Sequence, residues 1–187
     1  MSDINKTADA QKKLDKAKTA LEKAKATLLA AEEEAEKISK DLSGSNLAGM
    51  ILRDADLRDA DLTKANMTRA DLTDAILVDA ELGNVNLTRS NMENADLTDV
   101  ILTDAVMFDA DLSSADLEGA NLEGANLYET NLQRAFLTGS DMTGASLIAV
   151  KLVGANLTAA DLTGADLTDA DLADVKWPKG WKLVRDE

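Results

Sequence analysis

No cysteine and no histidine occur in the chain, proline occurs once, and only five side chains are aromatic. The first two absences exclude disulfides, thiolate zinc sites, Cys–His pairs and Ser–His–Asp triads. Catalysis would have to rest on carboxylates, hydroxyls, lysines or Tyr128, and no residue is assigned a catalytic, cofactor-binding or metal-binding role. Long apolar runs are missing too. The first 45 residues alternate apolar and charged positions, which gives neither a signal-peptide core nor a membrane span. The expectation is a cytoplasmic protein with no membrane insertion. Basic charge is scarce beyond residue 42, where 26 acids face 11 bases and the whole net −15 resides. Residues 1–42 are neutral, with nine lysines and nine acids. So acidic a surface repels nucleic acid and attracts basic partners, and no direct nucleic-acid binding is expected.

What the chain does have is a rhythm of five. In "ANLTAADLTGADLTDADL", residues 155–172, a leucine returns every fifth position, with an alanine two residues before each. A helix turns such leucines by ~140° per step, so no apolar stripe forms. A continuous strand sends alternate ones to opposite faces. Ala-x-Leu by itself has spacing two, so both side chains point one way in a short extended piece. If the next two residues turn the chain, the following Ala-x-Leu points inward again, and the chain coils around its own leucines. From Ser45 to Asp174 there are 26 such pentads without insertion. The centre slot holds 22 Leu and four Met (Met67, Met92, Met107, Met142), and the slot two before it holds 18 Ala. The other slots are mostly Asp, Asn, Thr, Arg, Glu and Gly, as turns facing solvent require. Glycine in the last slot, as at Gly119 and Gly139, permits the positive φ of a type II turn.

The segments "ADLTDADLADV", "ANLEGANLYET" and "ADLRDADLTKA" resemble the A(D/N)LXX motif of the pentapeptide-repeat family. The resemblance covers about 70% of the chain. It implies an all-β solenoid, a right-handed quadrilateral parallel β-helix with four pentads per coil. The four-sided outline comes from the family, since periodicity alone gives only a coil. Residues 45–175 then make about 6.5 coils and a rod ~31 Å long. Positions 20 apart should stack, which groups Asn46, Asn66 and Asn86, and also Phe108, Tyr128 and Ile148.

The ends differ from the repeat and from each other. Residues 176–187 carry both tryptophans and the single proline; Trp177, Pro178 and Trp181 read as a cap on the last leucine layer. The Trp-Pro-x-Gly ending is similar to the tails of some cyanobacterial members of the family. At the other end, Ala10, Leu14, Ala17, Leu21, Ala24, Leu28, Ala31, Ala35, Ile38 and Leu42 lie on an alternating 3/4 spacing. That seam predicts a coiled-coil-like helix over residues 1–42, ~57 Å long for 38 residues. Residues 1–25 sum to +3 and 26–42 to −3, which suits an antiparallel pairing and hence a homodimer through this segment. A single helix lying along its own solenoid is the plainer arrangement.

Chemistry finds little footing in this pattern. Asp59, Asp79 and Asp99 form a column of carboxylates, but a straight outer column does not converge as Ca²⁺ requires. Neighbour repulsion at ~4.8 Å in water is only ~0.9 kcal/mol, so a solvated surface is the simpler reading. Glycoside hydrolysis needs a cleft, and a coil without insertions has no loops to build one. The threonines after many centre leucines suggest ice binding, but charges and the Phe108–Tyr128–Ile148 column interrupt them. That column is the candidate partner-binding surface. The expected function is a non-enzymatic protein–protein interaction or scaffold module. It is an acidic rod whose helix serves self-association or docking to an unidentified protein. The family resemblance supplies an alternative, a DNA mimic that binds a type II topoisomerase such as gyrase. Duplex DNA carries ~18 charges over ~31 Å, close to the −15 downstream of residue 42.

Overall fold

The computed structural model describes residues 18, 19, 22, 23, 25 and 40–181. From Asp41 onward, every fifth residue makes a parallel bridge to the residue 20 positions further along, beginning with Asp41↔Asp61 and ending with Asn156↔Lys176. One turn of the coil is therefore four pentads, with one bridge per pentad and four sides. Strands are reduced to single bridging residues because each pentad extends only far enough to point Ala and Leu inward before it turns.

Each inner pentad donates three backbone hydrogen bonds between coils and one within its turn. In the pentad around Leu62, the Leu62 N–H donates to Glu81 O at 2.7 Å, and Lys64 N–H donates to Gly83 O at 2.9 Å. Asp61 N–H donates back to Lys40 O at 3.0 Å, and Ala65 N–H closes the turn on Leu62 O at 2.9 Å. The second turn residue sits at positive φ in every pentad from Gly44 to Asp174, which defines a type II turn. Many of these residues are not glycine: Lys64, Arg69, Ala149 and Ala159 have φ of 59°, 58°, 55° and 60°. An ordinary side chain there costs about 1–2 kcal/mol. The residue before each centre slot helps to fix the turn when it is Asp or Asn. Asp61 Oδ1 accepts from Thr63 N–H at 2.9 Å, and Asn86 Oδ1 accepts from Thr88 N–H at 3.0 Å.

Inside the coil, the centre slots from Leu62 to Leu162 and the alanine slots from Ala60 to Ala160 form one buried apolar column. Each leucine removed from water in this way contributes about 1.5–3 kcal/mol. The end levels, Leu42, Leu47, Leu52 and Leu57 at one end and Leu167 and Leu172 at the other, are half-buried against that column. The ladder begins one pentad before Ser45: Leu42, placed by the seam at the end of a helix, fills the first centre slot.

The chain divides into two compact units, Met1–Ser39 and Lys40–Glu187. In the first, the five described residues carry helical backbone, and Lys25 Nζ lies 3.1 Å from Glu22 Oε1. Five positions do not define an element. The seam residues Leu14, Ala17, Leu21, Ala24, Leu28, Ala31 and Ile38, and with them the expected helix pair, lie outside the described residues. Among the described residues no helix is long and apolar enough to cross a membrane.

Candidate interaction surface

Because the coil repeats at 20, each side carries three outward columns, and residues 20 apart in sequence stand at successive levels. One side collects residues 46–49, 66–69, 86–89, 106–109, 126–129, 146–149 and 166–169. It carries four acids, whereas each of the other three sides carries seven. It also brings together the three residues singled out in the sequence. Phe108 and Tyr128 stack with ring centroids 5.6 Å apart and planes 18° from parallel. Ile148 occupies the next level, half-buried. Val106 on the neighbouring column is 38% exposed and Tyr128 37% exposed, so the group presents a continuous apolar strip.

Two residues on this side escaped the sequence reading. Arg89 lies over the Phe108 ring, with Cζ 5.8 Å from the centroid, while its Nε is 3.2 Å from Asp109 Oδ2. Arg69 stands one level before Arg89, exposed. The signal was available only through the register of 20, which puts residues 69, 89 and 109 in one column. Neighbouring groups also adjust the ionisation of this side. The Glu129 carboxylate, through a hydrogen bond and its charge, pushes the Tyr128 phenol up. Asp166 is held below the usual carboxylate range chiefly by the Thr168 hydroxyl, which donates to Asp166 Oδ1 at 2.6 Å, and then by the Thr168 N–H.

The other expected columns are present as geometry, the asparagines on this same side and the aspartates on another. Asn66 Nδ2 donates to Asn46 Oδ1 at 3.2 Å across one level. In the Asp59–Asp79–Asp99 column, Lys40 Nζ lies 3.6 Å from Asp59, and the Asp99 carboxylate folds over the Gly119 Cα. Among the described residues no group of three acids is arranged to hold a metal ion. At the C-terminal end Trp177 packs against the apolar column and Pro178 is buried. Trp181 remains 42% exposed and stacks on Trp177 with centroids 6.4 Å apart. Ile51, Ile101 and Phe136 are exposed singly on other sides and form no strip with one another.

Against known proteins, the family described as pentapeptide repeats (8 copies) matches over four overlapping or adjoining segments, residues 41–77, 65–104, 105–144 and 140–176. No curated protein sequence matches the chain. Among solved structures, the chain is similar to HetL of Nostoc sp. strain PCC 7120, a pentapeptide repeat protein involved in regulating heterocyst differentiation. Identity is 37%, over 75% of this chain and 69% of that one, with a TM-score of 0.37. It is also similar to a trypsin-treated form of QnrB1, a plasmid-mediated fluoroquinolone resistance protein, at 22% identity. That match covers 74% of this chain and 76% of that one, with a TM-score of 0.45. Rfr23 of the cyanobacterium Cyanothece 51142 matches at 25% identity over 80% of this chain and 99% of its own, with a TM-score of 0.29.

Proposed function

This chain belongs to the pentapeptide-repeat family, whose members adopt a right-handed quadrilateral β-helix, and from that premise we propose that it is a non-enzymatic interaction module. In this reading a rod of about 6.5 coils works in the cytoplasm, neither entering a membrane nor binding nucleic acid directly. Residues 1–39 form a helix for self-association or docking, the coil beginning at Lys40, and Trp177, Pro178 and Trp181 close the far end. The observation that carries the reading is the Phe108–Tyr128 stack with Ile148 beside it, an apolar strip on the least acidic side in which Tyr128 is exposed and Phe108 and Ile148 are half-buried. Such strips mark partner sites when the rest of the surface is charged. A rigid coil holds the strip flat without ordering cost on binding. The test is capture of protein partners from the native host by the full chain and by a variant with Phe108→Asp, Tyr128→Asp and Ile148→Asp. Loss of capture with unchanged circular dichroism is expected; capture that survives the triple change refutes the strip as the contact surface.

One observation favours the mimicry of DNA, namely the 24 acids against 7 bases that residues 45–175 carry on a rod ~31 Å long. The side with Arg69, Arg89 and the aromatic strip is unlike a phosphate backbone, so mimicry would have to use the other three. Inhibition of gyrase supercoiling at micromolar protein supports this second reading, and its absence removes it.

A further inference from the structure

The aromatic side changes character along its length. Its first three levels carry Arg69 and Arg89 and no acid. The levels from 106 onward carry Asp109, Glu129, Asp166 and Asp169 and no base. Val106, Phe108, Tyr128 and Ile148 lie between the basic end and the acidic tip. A surface ordered this way complements a copy of itself under one operation, a two-fold axis across its middle. We propose that the occupant of this side is a second copy of the chain, docked face to face with its coil axis reversed. The inference rests on the reading of Phe108, Tyr128 and Ile148 as the contact surface and names the partner.

The register follows from the columns. An axis running along the strands midway between the Phe108 and Tyr128 levels sets every outward column opposite itself, inverted. Phe108 then faces Tyr128 of the second copy, Thr88 faces Ile148, Asn66 faces Asp166, and Arg69 faces Asp169. Neither Arg69 nor Asp169 has an ion pair among the described residues, and both are exposed. Facing sheets stand ~10 Å apart, a gap that an arginine and an aspartate span together. One like-charge pair arises, Asp109 opposite Glu129. It is offset because Arg89, already 3.2 Å from Asp109, stands ~4.8 Å along the same column and within reach of both carboxylates.

Size sets the strength of the association. Five residues at ~3.3 Å give a side ~16 Å wide, and six steps of ~4.8 Å give ~29 Å of height. Two such faces bury about 900 Å², below the ~1,200–2,000 Å² of stable complexes, so the dimer is weak and depends on concentration. Salt weakens it further through the two exposed Arg69–Asp169 pairs.

Sedimentation of the full chain from about 1 µM to about 1 mM tests this, comparing wild type with Arg69→Glu, Asp169→Arg, the double variant and Phe108→Asp. The first two single changes should each weaken dimerisation by about tenfold or more, and the double variant should return to within about threefold of wild type. Phe108→Asp should abolish the association through this side, leaving no dimer that responds to Arg69 or Asp169. Glu129 and Arg134 already occupy equivalent turn positions at positive φ, so both charge changes fit the fold. A wild type that stays monomeric throughout overturns the inference, as does a dimer indifferent to these variants or a double variant that is not restored. A monomeric wild type whose capture of another protein is lost on Phe108→Asp leaves the contact surface standing and removes only the second copy.

Discussion

Replacing Ser90 with alanine should make the protein more stable. Ser90 points into the coil and is 2% exposed, and its Oγ is the one buried side-chain polar atom among the described residues without a hydrogen-bond partner. Two other buried hydroxyls in equivalent slots are satisfied. Ser140 Oγ donates to Leu137 O at 2.9 Å, and Thr130 Oγ1 donates to Met107 O at 2.7 Å. A buried unpaired hydroxyl costs about 1–3 kcal/mol, and alanine fits the slot, as it does at most other levels. Nothing is lost in return, because the backbone of residue 90 keeps its bonds to Leu87 O at 3.0 Å and from Asp111 N–H at 2.9 Å. The expected gain is about 1 kcal/mol or more, or a rise in Tm of roughly 2–4 °C per kcal/mol for a domain of this size. Urea unfolding of Ser90→Ala beside Ser140→Ala provides the comparison. Ser140→Ala removes a made bond together with its hydroxyl and should lie close to wild type or below it. A loss of stability in Ser90→Ala, or a result no better than Ser140→Ala, would refute the reasoning.

Further outcomes follow from the same column and turns. Leu117→Ala, at a fully buried level, should cost about 2–5 kcal/mol in urea unfolding, and Leu47→Ala, at the half-buried first coil, less than half as much. Gly119→Ala should be worse than Gly139→Ala. Both place a methyl at φ near +70°, at about 1–2 kcal/mol, but only at residue 119 does the new carbon strike a side chain, the Asp99 carboxylate. Thermal melts should show the gap close when Asp99→Ala is added. For Asp56, Arg58 donates to its carboxylate at 2.6 and 2.9 Å, and these bonds, with the Arg58 N–H, lower its pKa from 3.8 to about 2. A depressed carboxylate favours the fold above the unfolded value, and that contribution vanishes as pH falls through about 2. Carboxyl-carbon NMR should give that midpoint, with Arg58→Ala returning it toward 3.8.

Much of the fold could be read in advance because residue type and spacing carried it. Leucine at every fifth position, with alanine two residues before, admits only a coil that turns inward each time, and the buried column from Leu62 to Leu162 is its result. The turns were less legible. Glycine advertised positive φ at residues 119 and 139, but Arg69, Ala149 and Ala159 adopt it with no such signal. At those positions the ladder dictates the backbone and the side chain bears the strain. Leu42 was ambiguous for a different reason, since it satisfies both the heptad spacing and the pentad spacing; the backbone bonds of the first coil decide for the pentad. The candidate surface was half visible. Apolar residues at 108, 128 and 148 stand out against an acidic chain. Arg69 and Arg89 do not, because their meaning lies in which column they share, and a register of 20 is a property of the closed coil.

The central claim is that the chain closes a four-sided coil every 20 residues. The absence of cysteine makes a direct measurement simple, because a pair of cysteines can be placed anywhere on an unmodified background. Asn66 and Asn86 form a parallel bridge on one side, whereas residue 91 lies on the next. Bridged positions ~4.8 Å apart lie within the ~4.4–6.8 Å that a disulfide spans between Cα atoms. Oxidation of Asn66→Cys/Asn86→Cys should yield a monomeric disulfide in the folded protein, while Asn66→Cys/Asn91→Cys remains as thiols. If the second pair closes as readily as the first, or the first does not close at all, the coil does not repeat at 20 residues and the account fails with it.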